Sequence, residues 1–237
     1  MINLNNKNIL VVVAHPDDEL LGLGGTINKI SIETNSKIKV VILGEGITSR
    51  DKARDIVKRQ NELEIHRENI LNAKDILGYD FLSTYDFPDN RFDTVSLLDI
   101  VKIVEEEKKS FNPDIVFTHH SGDLNIDHRL TFNSVLTAFR PLEREKCSTI
   151  ISFETPSGTE WQSFNHFPTF QPNLFIEIND KNLDAKIKAM GCYEFEKRKF
   201  PHPRSPKALT ALASYRGVSC GYSYAEAFVI IRHLIQN

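Results

Sequence analysis

Cysteine is scarce in this chain: three residues among 237, Cys147, Cys192 and Cys220, with no CxxC pair. An odd number so widely spaced excludes a disulfide framework and fits ordinary thiols in a reducing cytoplasm. Charge of one sign is not in excess either. The net charge of -3 leaves no basic footprint, so no nucleic-acid partner is expected. No uninterrupted apolar stretch approaches the length of a membrane span, so no stable membrane insertion is expected. The first seven residues lack a basic region followed by a longer apolar one, so a secretory signal is not expected. Repeats, linkers and low-complexity segments are also missing, which leaves one domain over residues 1–237.

What is there is ordinary for a globular chain: 41% hydrophobic and 26% charged residues, enough for one sizeable core. Residues 9–14 are a continuous apolar run that reads as a strand buried on both faces. Pro16 breaks the run, and Asp17, Asp18 and Glu19 favour the positive start of a helix through Leu20 to Ile32. Further strands are predicted over 39–43, 81–85, 114–118, 149–153, 174–178 and 225–231. Helices are predicted over 50–77, 99–109, 130–139 and 183–197. Three prolines make 201–206 an extended loop. This alternation implies an α/β, Rossmann-like three-layer fold with a mostly parallel sheet. Ligands of such sheets sit outside the carboxyl ends of the strands. The loops after Val13, Leu43, Tyr85 and Thr118 should therefore share one crevice.

The first of these loops carries His15-x-x-Asp18. Imidazole and carboxylate three residues apart can reach one metal, and a third ligand from elsewhere would leave a fourth position for water. Asp17 lies between them and is free to act on that water. The loop after the fourth strand holds three histidines and two aspartates within residues 119–128. His128 is the best third ligand, because it stands where the next helix should begin. Asp127 could orient a neighbouring histidine. Gly22-x-Gly24-Gly25 is not a dinucleotide fingerprint, since Ile27 holds the last position; it reads as helix-sheet packing. Trp161 reads as a core anchor ahead of a ring for stacking on a sugar.

At these two loops the sequence resembles the PIG-L / LmbE-like family of zinc-dependent de-N-acetylases. Residues 14–19 match the family's A-H-P-D-D-E loop in full, and its H-P-D-H motif appears as Asn125-Ile126-Asp127-His128. Gly44-Glu45, Leu77-Gly78 and residues 225–228 are similar to other family landmarks. The segments 122–129, 139–141 and 200–205 resemble a bacterial branch associated with surface-polysaccharide sugars. The resemblance implies hydrolysis of the N-acetyl group of an amino sugar such as N-acetylglucosamine, whether free, nucleotide-linked or lipid-linked. It implies His15, Asp18 and His128 as zinc ligands, Asp17 as general base, and Asp127 as support for the catalytic histidine. Iron or manganese could fill such a site. Family habit implies a homo-oligomer.

The sequence departs from the family where Asn125 replaces a histidine. An asparagine amide can donate to an oxyanion but cannot deliver a proton. His120 is the candidate for the missing imidazole, with His119 or His202 next. Arg67 matches an arginine that the family aims at a phosphate or sugar, and Asp89, His202 and Arg204 stand on loops that could meet a small-molecule or glycan substrate. Two rival readings are a non-catalytic sugar- or nucleotide-binding protein on the same scaffold, and an amidase acting on a thiol conjugate.

Overall fold

The computed structural model describes residues 2–143, 145–163 and 167–235. In chain order its elements begin β1 (Asn8–Val13), α1 (Asp18–Glu33), β2 (Lys37–Gly44), α2 (Gln60–Leu77), β3 (Phe81–Phe87) and α3 (Leu97–Phe111). They continue β4 (Ile115–His119), α4 (Ile126–Ala138), β5 (Thr149–Phe153), β6 (Leu174–Glu177), α5 (Asp180–Cys192), α6 (Pro206–Val218) and β7 (Ala225–His233).

Side chains of β1 split by parity, as a pleated strand requires. Ile9, Val11 and Val13 enter a core shared with α1, α2 and α5. Leu10, Val12 and the following Ala14 enter a second core shared with α3 and α4. Both sets are fully buried, which is why the run shows no polar alternation. Burying each such Val, Leu or Ile is worth about 1.5–3 kcal/mol. The result is the expected three-layer α/β architecture.

The strand order is β3-β2-β1-β4-β5-β7-β6. β1 pairs in parallel with β2 and β4, whereas β7 runs antiparallel to both β5 and β6. Chain order therefore reverses between β1 and β4, and a crevice opens at their carboxyl ends. His15 follows β1 there, and His119 ends β4. Among the described residues no helix is long and apolar enough to cross a membrane.

Three segments differ from the sequence-based expectation. The helix predicted from Arg50 starts only at Gln60. Before it, Asp51 accepts from Arg59 Nε at 2.6 Å, and Arg54 forks onto Glu45 at 2.8 and 2.7 Å. Residues 51 and 59 would stand about 12 Å apart along a helix, so these local ion pairs compete with helix formation. The helix predicted to reach Lys197 stops at Cys192, where Tyr193 turns inward and its hydroxyl donates to Glu19. α6 was not expected. Its signal was legible: the Ser205 side chain caps it, and Pro206 stands in its first turn.

The glycines of α1 serve close packing. A Cβ on Gly22 would lie 2.2 Å from the Phe153 ring, and one on Gly25 would lie 2.7 Å from Ile178. The helix is broken at Leu23, and other chain segments take over the freed backbone groups. Glu226 accepts from Gly25 N at 3.1 Å and Thr26 N at 2.6 Å, while Lys186 Nζ donates to Leu21 O at 2.9 Å. Lys186 and Glu226 also pair at 2.6 Å, both buried. Glu226→Ala strands a buried ammonium and two amides, and should lower the unfolding free energy by about 3–5 kcal/mol. Urea denaturation measures this; a loss below about 1 kcal/mol would contradict the bridging role.

Candidate active site

Asp18 is the hub of a buried cluster at the carboxyl ends of β1 and β4. Its Oδ2 accepts the His15 backbone N–H at 2.8 Å. It lies 3.4 Å from His15 Nδ1, 3.3 Å from His128 Nε2 and 3.4 Å from His119 Nε2. Burial disfavours the Asp18 charge, but His128 and His119 outweigh it and hold the carboxyl well below its ordinary range. Burial likewise opposes charge on His128, yet Asp18 and Asp123 push it up to about 9. His15 is raised as well: against burial, its bonds to Asp127 and Asp18 prevail. A carboxylate and two imidazoles that draw cationic charge this strongly form a metal-ready cluster. The ligating atoms of His15, Asp18 and His128 all lie within 4.8 Å of one another.

Both imidazoles of this cluster are fixed from behind. Asp127 Oδ2 accepts from His15 Nε2 at 2.9 Å, leaving Nδ1 for the metal side, and Asp127 Oδ1 accepts the Phe92 N–H at 2.9 Å. Asp123 Oδ1 lies 3.0 Å from His128 Nδ1. Asp123 is itself held by Thr159 Oγ1 at 2.7 Å and Asn125 N at 2.9 Å. Carboxylates in this position set the tautomer and basicity of metal-bound histidines. His15 also groups with Asp89 and Asp127. There Asp127 is already bonded to His15 and Phe92, and Asp89 Oδ2 accepts from Ser49 Oγ at 2.6 Å. The set with Asp18 and His128 is the better fit to zinc, whose sites favour imidazole over clustered carboxylates.

Asp17 stands beside this cluster with φ 95°, in the left-handed region that a non-glycine residue rarely adopts. Its N–H donates to Glu19 Oε2 at 3.1 Å, its carbonyl accepts from Leu21 N at 2.9 Å, and its Oδ2 accepts from Arg204 Nη1 at 2.7 Å. Burial raises the Asp17 carboxyl well above its ordinary value, Arg204 opposes that rise, and Asp18 adds to it. The crevice above holds about 150 Å3 and is lined by His15, Asp17, Asp89, Asn125, Arg198 and Arg204 among others. A larger groove of about 450 Å3, around Lys108 and Arg140, contains none of these residues.

Other expected residues fall in different places. Asn125 caps α4, its oxygen accepting the Asp127 N–H at 2.9 Å, and its amide donates to Asn90 at 2.8 Å on the crevice wall. His120 is not on that wall: its Nε2 meets the Pro168 carbonyl at 2.9 Å and its ring abuts Phe170. His119 Nε2 accepts the Ala14 N–H at 3.0 Å, and its ring stacks on His128 at 3.9 Å, so it braces the cluster. Arg67 is largely exposed and faces Asp86 at 3.6 Å; the α2 residue on the crevice wall is its neighbour His66. His202 accepts the Arg204 N–H and meets Trp161 edge-on. Trp161 is exposed, so the core-anchor expectation does not hold. Sequence reasoning missed His66, Asp123, Glu196 and Arg198. For Asp123 a signal existed: a carboxylate two residues before Asn125 has Asx-turn spacing.

If the cluster holds a metal, Asp123→Ala should weaken the binding of added zinc about 10–100-fold with the fold intact. A chelator competition titration reads this, and an unchanged affinity would remove Asp123 from the site.

The family described as "PIG-L: GlcNAc-PI de-N-acetylase" matches residues 10–139, which contain both loops of the cluster. The diacetylchitobiose deacetylase of Thermococcus kodakarensis is 28% identical over 231 residues, covering 93% of this chain and 81% of that protein. The N,N'-diacetylchitobiose deacetylase of Pyrococcus horikoshii, solved with its inhibitor MPG, superposes with a TM-score of 0.73 at 19% identity, over 96% of this chain and 85% of that one. GalB, the 4-carboxy-2-hydroxymuconate hydratase of Pseudomonas putida, superposes equally well, with a TM-score of 0.75 at 21% identity over 98% of each chain. At such identities a superposition shows the fold alone, so the chemistry rests on the family match and on the site. The chain belongs to the PIG-L family and is a hydrolytic N-deacetylase.

Proposed function

We propose that the protein is a zinc-dependent hydrolase that removes the N-acetyl group of an N-acetylated amino sugar, as a step in making a surface glycan. The observation that carries this reading is the convergence of His15, Asp18 and His128 beside Asp17, with His15 and Asp17 lining a polar crevice. Two imidazoles and a carboxylate, each braced by a second group, suit zinc and leave a coordination position for water. Zinc bound there supplies Lewis acidity, which acidifies water and polarises an amide carbonyl.

The side chains then divide the work. Arg204 holds Oδ2 of Asp17, so Oδ1 takes the proton of the attacking water. Asn125 has one amide N–H beyond the one it gives Asn90, and that N–H donates to the tetrahedral oxyanion. Such a donor is worth about 3 kcal/mol. Asparagine cannot protonate the leaving nitrogen, and His120 is turned to Pro168. Asp17 therefore returns the proton to the amine; its buried carboxyl is suited to holding one. Acetate and the amino sugar leave. Asp89 and Arg198 are positioned for sugar hydroxyls or an attached anionic group. The three cysteines are free, which fits a cytoplasmic enzyme.

Acetate release is to be assayed on N-acetylglucosamine, diacetylchitobiose, a nucleotide-linked N-acetylhexosamine and an N-acetylated thiol conjugate. At least one sugar should yield acetate. Asp17→Asn should keep its zinc and lose about 100-fold or more in turnover. Acetate from the thiol conjugate alone, or near-normal turnover by Asp17→Asn, would overturn the proposal.

A further inference from the structure

Arg204 is expected from the sequence to contact substrate. Its bonds show a different occupation. Nε donates to Ser157 Oγ at 2.8 Å, and Nη1 donates to both Asp17 Oδ2 and Glu196 Oε2 at 2.7 Å. Three of its five N–H groups are thus engaged by the protein. Glu196 is held in turn by Arg50, which also donates to the Phe195 carbonyl at 3.0 Å. Arg198, on the same crevice, contrasts with it: it is more exposed, donates to two backbone carbonyls, and lies 3.8 Å from Glu196. Arg198 has the character of a rim residue and Arg204 that of a strut.

We infer that Arg204 is a positioning residue for Asp17, the link in a charge chain Asp17–Arg204–Glu196–Arg50 that fixes the base at its rotamer. The inference rests on the reading of Asp17 as the base. The backbone of Asp17 is already pinned, by Glu19 at its N–H and by Leu21 at its carbonyl. What remains free is the side chain, carried on a left-handed backbone that its surroundings must enforce. A planar guanidinium held at two further points restrains a carboxylate better than a flexible ammonium would. The loop bearing Arg204 is anchored to match. Arg204 N–H donates to His202 Nδ1 at 3.2 Å, and Ser205 begins α6 directly afterwards. The chain gathers segments that follow β2, β5 and α5, and the start of α6, around the loop after β1.

The test uses the full chain loaded with zinc and the sugar that wild type deacetylates. Arg204→Gln should lower kcat about 100-fold, the scale of a small misplacement of a reacting group. KM should move less than about threefold and the zinc content should not change. Arg204→Lys should recover part of the loss, about tenfold, by restoring the charge without the fork. Glu196→Gln should lower kcat less, and the double variant should match Arg204→Gln, since both act along one chain. A KM rise at unchanged kcat would make Arg204 a substrate contact and overturn the inference. A second readout needs no substrate. The guanidinium 15N–H signal of Arg204, identified by its loss in Arg204→Lys, should exchange with water at least about tenfold faster in Asp17→Ala. An unchanged exchange rate would also overturn the inference. Wild type that releases no acetate from any sugar would instead sink the deacetylase reading, and the exchange measurement would still decide the clamp.

Discussion

A single carboxylate oxygen, Asp18 Oδ2, has nitrogens of three histidines within 3.4 Å and the backbone N–H of His15 at 2.8 Å. A buried anion is costly unless it is paired. The site meets that constraint by setting imidazoles around the oxygen, and a bound metal ion would add positive charge at the same point. The imidazoles around this oxygen are fixed in turn by other groups. Asp127 and Asp123 brace two of the imidazoles, and His119 is locked between the Ala14 amide and Thr155 so that it can stack on His128. The layers of the fold bring these groups together from the ends of β1 and β4, where the strand order reverses and side chains can converge without a partner strand between them.

The same economy of placement governs Asp17, the proposed base. Asp17 shares a loop with two of the proposed metal ligands, and a carboxylate next to Asp18 and Glu19 would repel both if left without compensation. Arg204 supplies that compensation from the far end of the sequence. Glu19 is directed away, to the Asp17 amide and the Tyr193 hydroxyl, and burial raises it to about 7. Adjacent acids of one motif thus acquire separate duties because each is given a different partner.

Much of this was legible in the sequence because it is local. The β1 run, the strand over residues 149–153 and the His15-x-x-Asp18 pair are each encoded within a few residues, and their periodicity or spacing has one sensible reading. His128 was legible because a helix start pre-positions it. The remainder depends on long-range partners. Glu196 becomes a site residue only because α5 ends early at a buried tyrosine. Arg67, taken from the family resemblance, points to Asp86, and the neighbouring His66, one residue away in helix phase, reaches the crevice wall. The charged stretch 50–59 has helical composition, yet its ion pairs to Glu45 and Asp51 hold it as a loop. Composition cannot reveal which partner a charged side chain will find.

The central claim is that one metal ion, held by His15, Asp18 and His128 beside Asp17, is required for amide hydrolysis. The most direct measurement strips the protein with a chelator and restores zinc stepwise, following acetate release against zinc bound per chain. Activity should be absent at first and should rise in proportion to bound zinc up to about one ion per chain, with His128→Ala recovering none of it. Full acetate release by the stripped protein, or normal recovery by His128→Ala, would contradict the account.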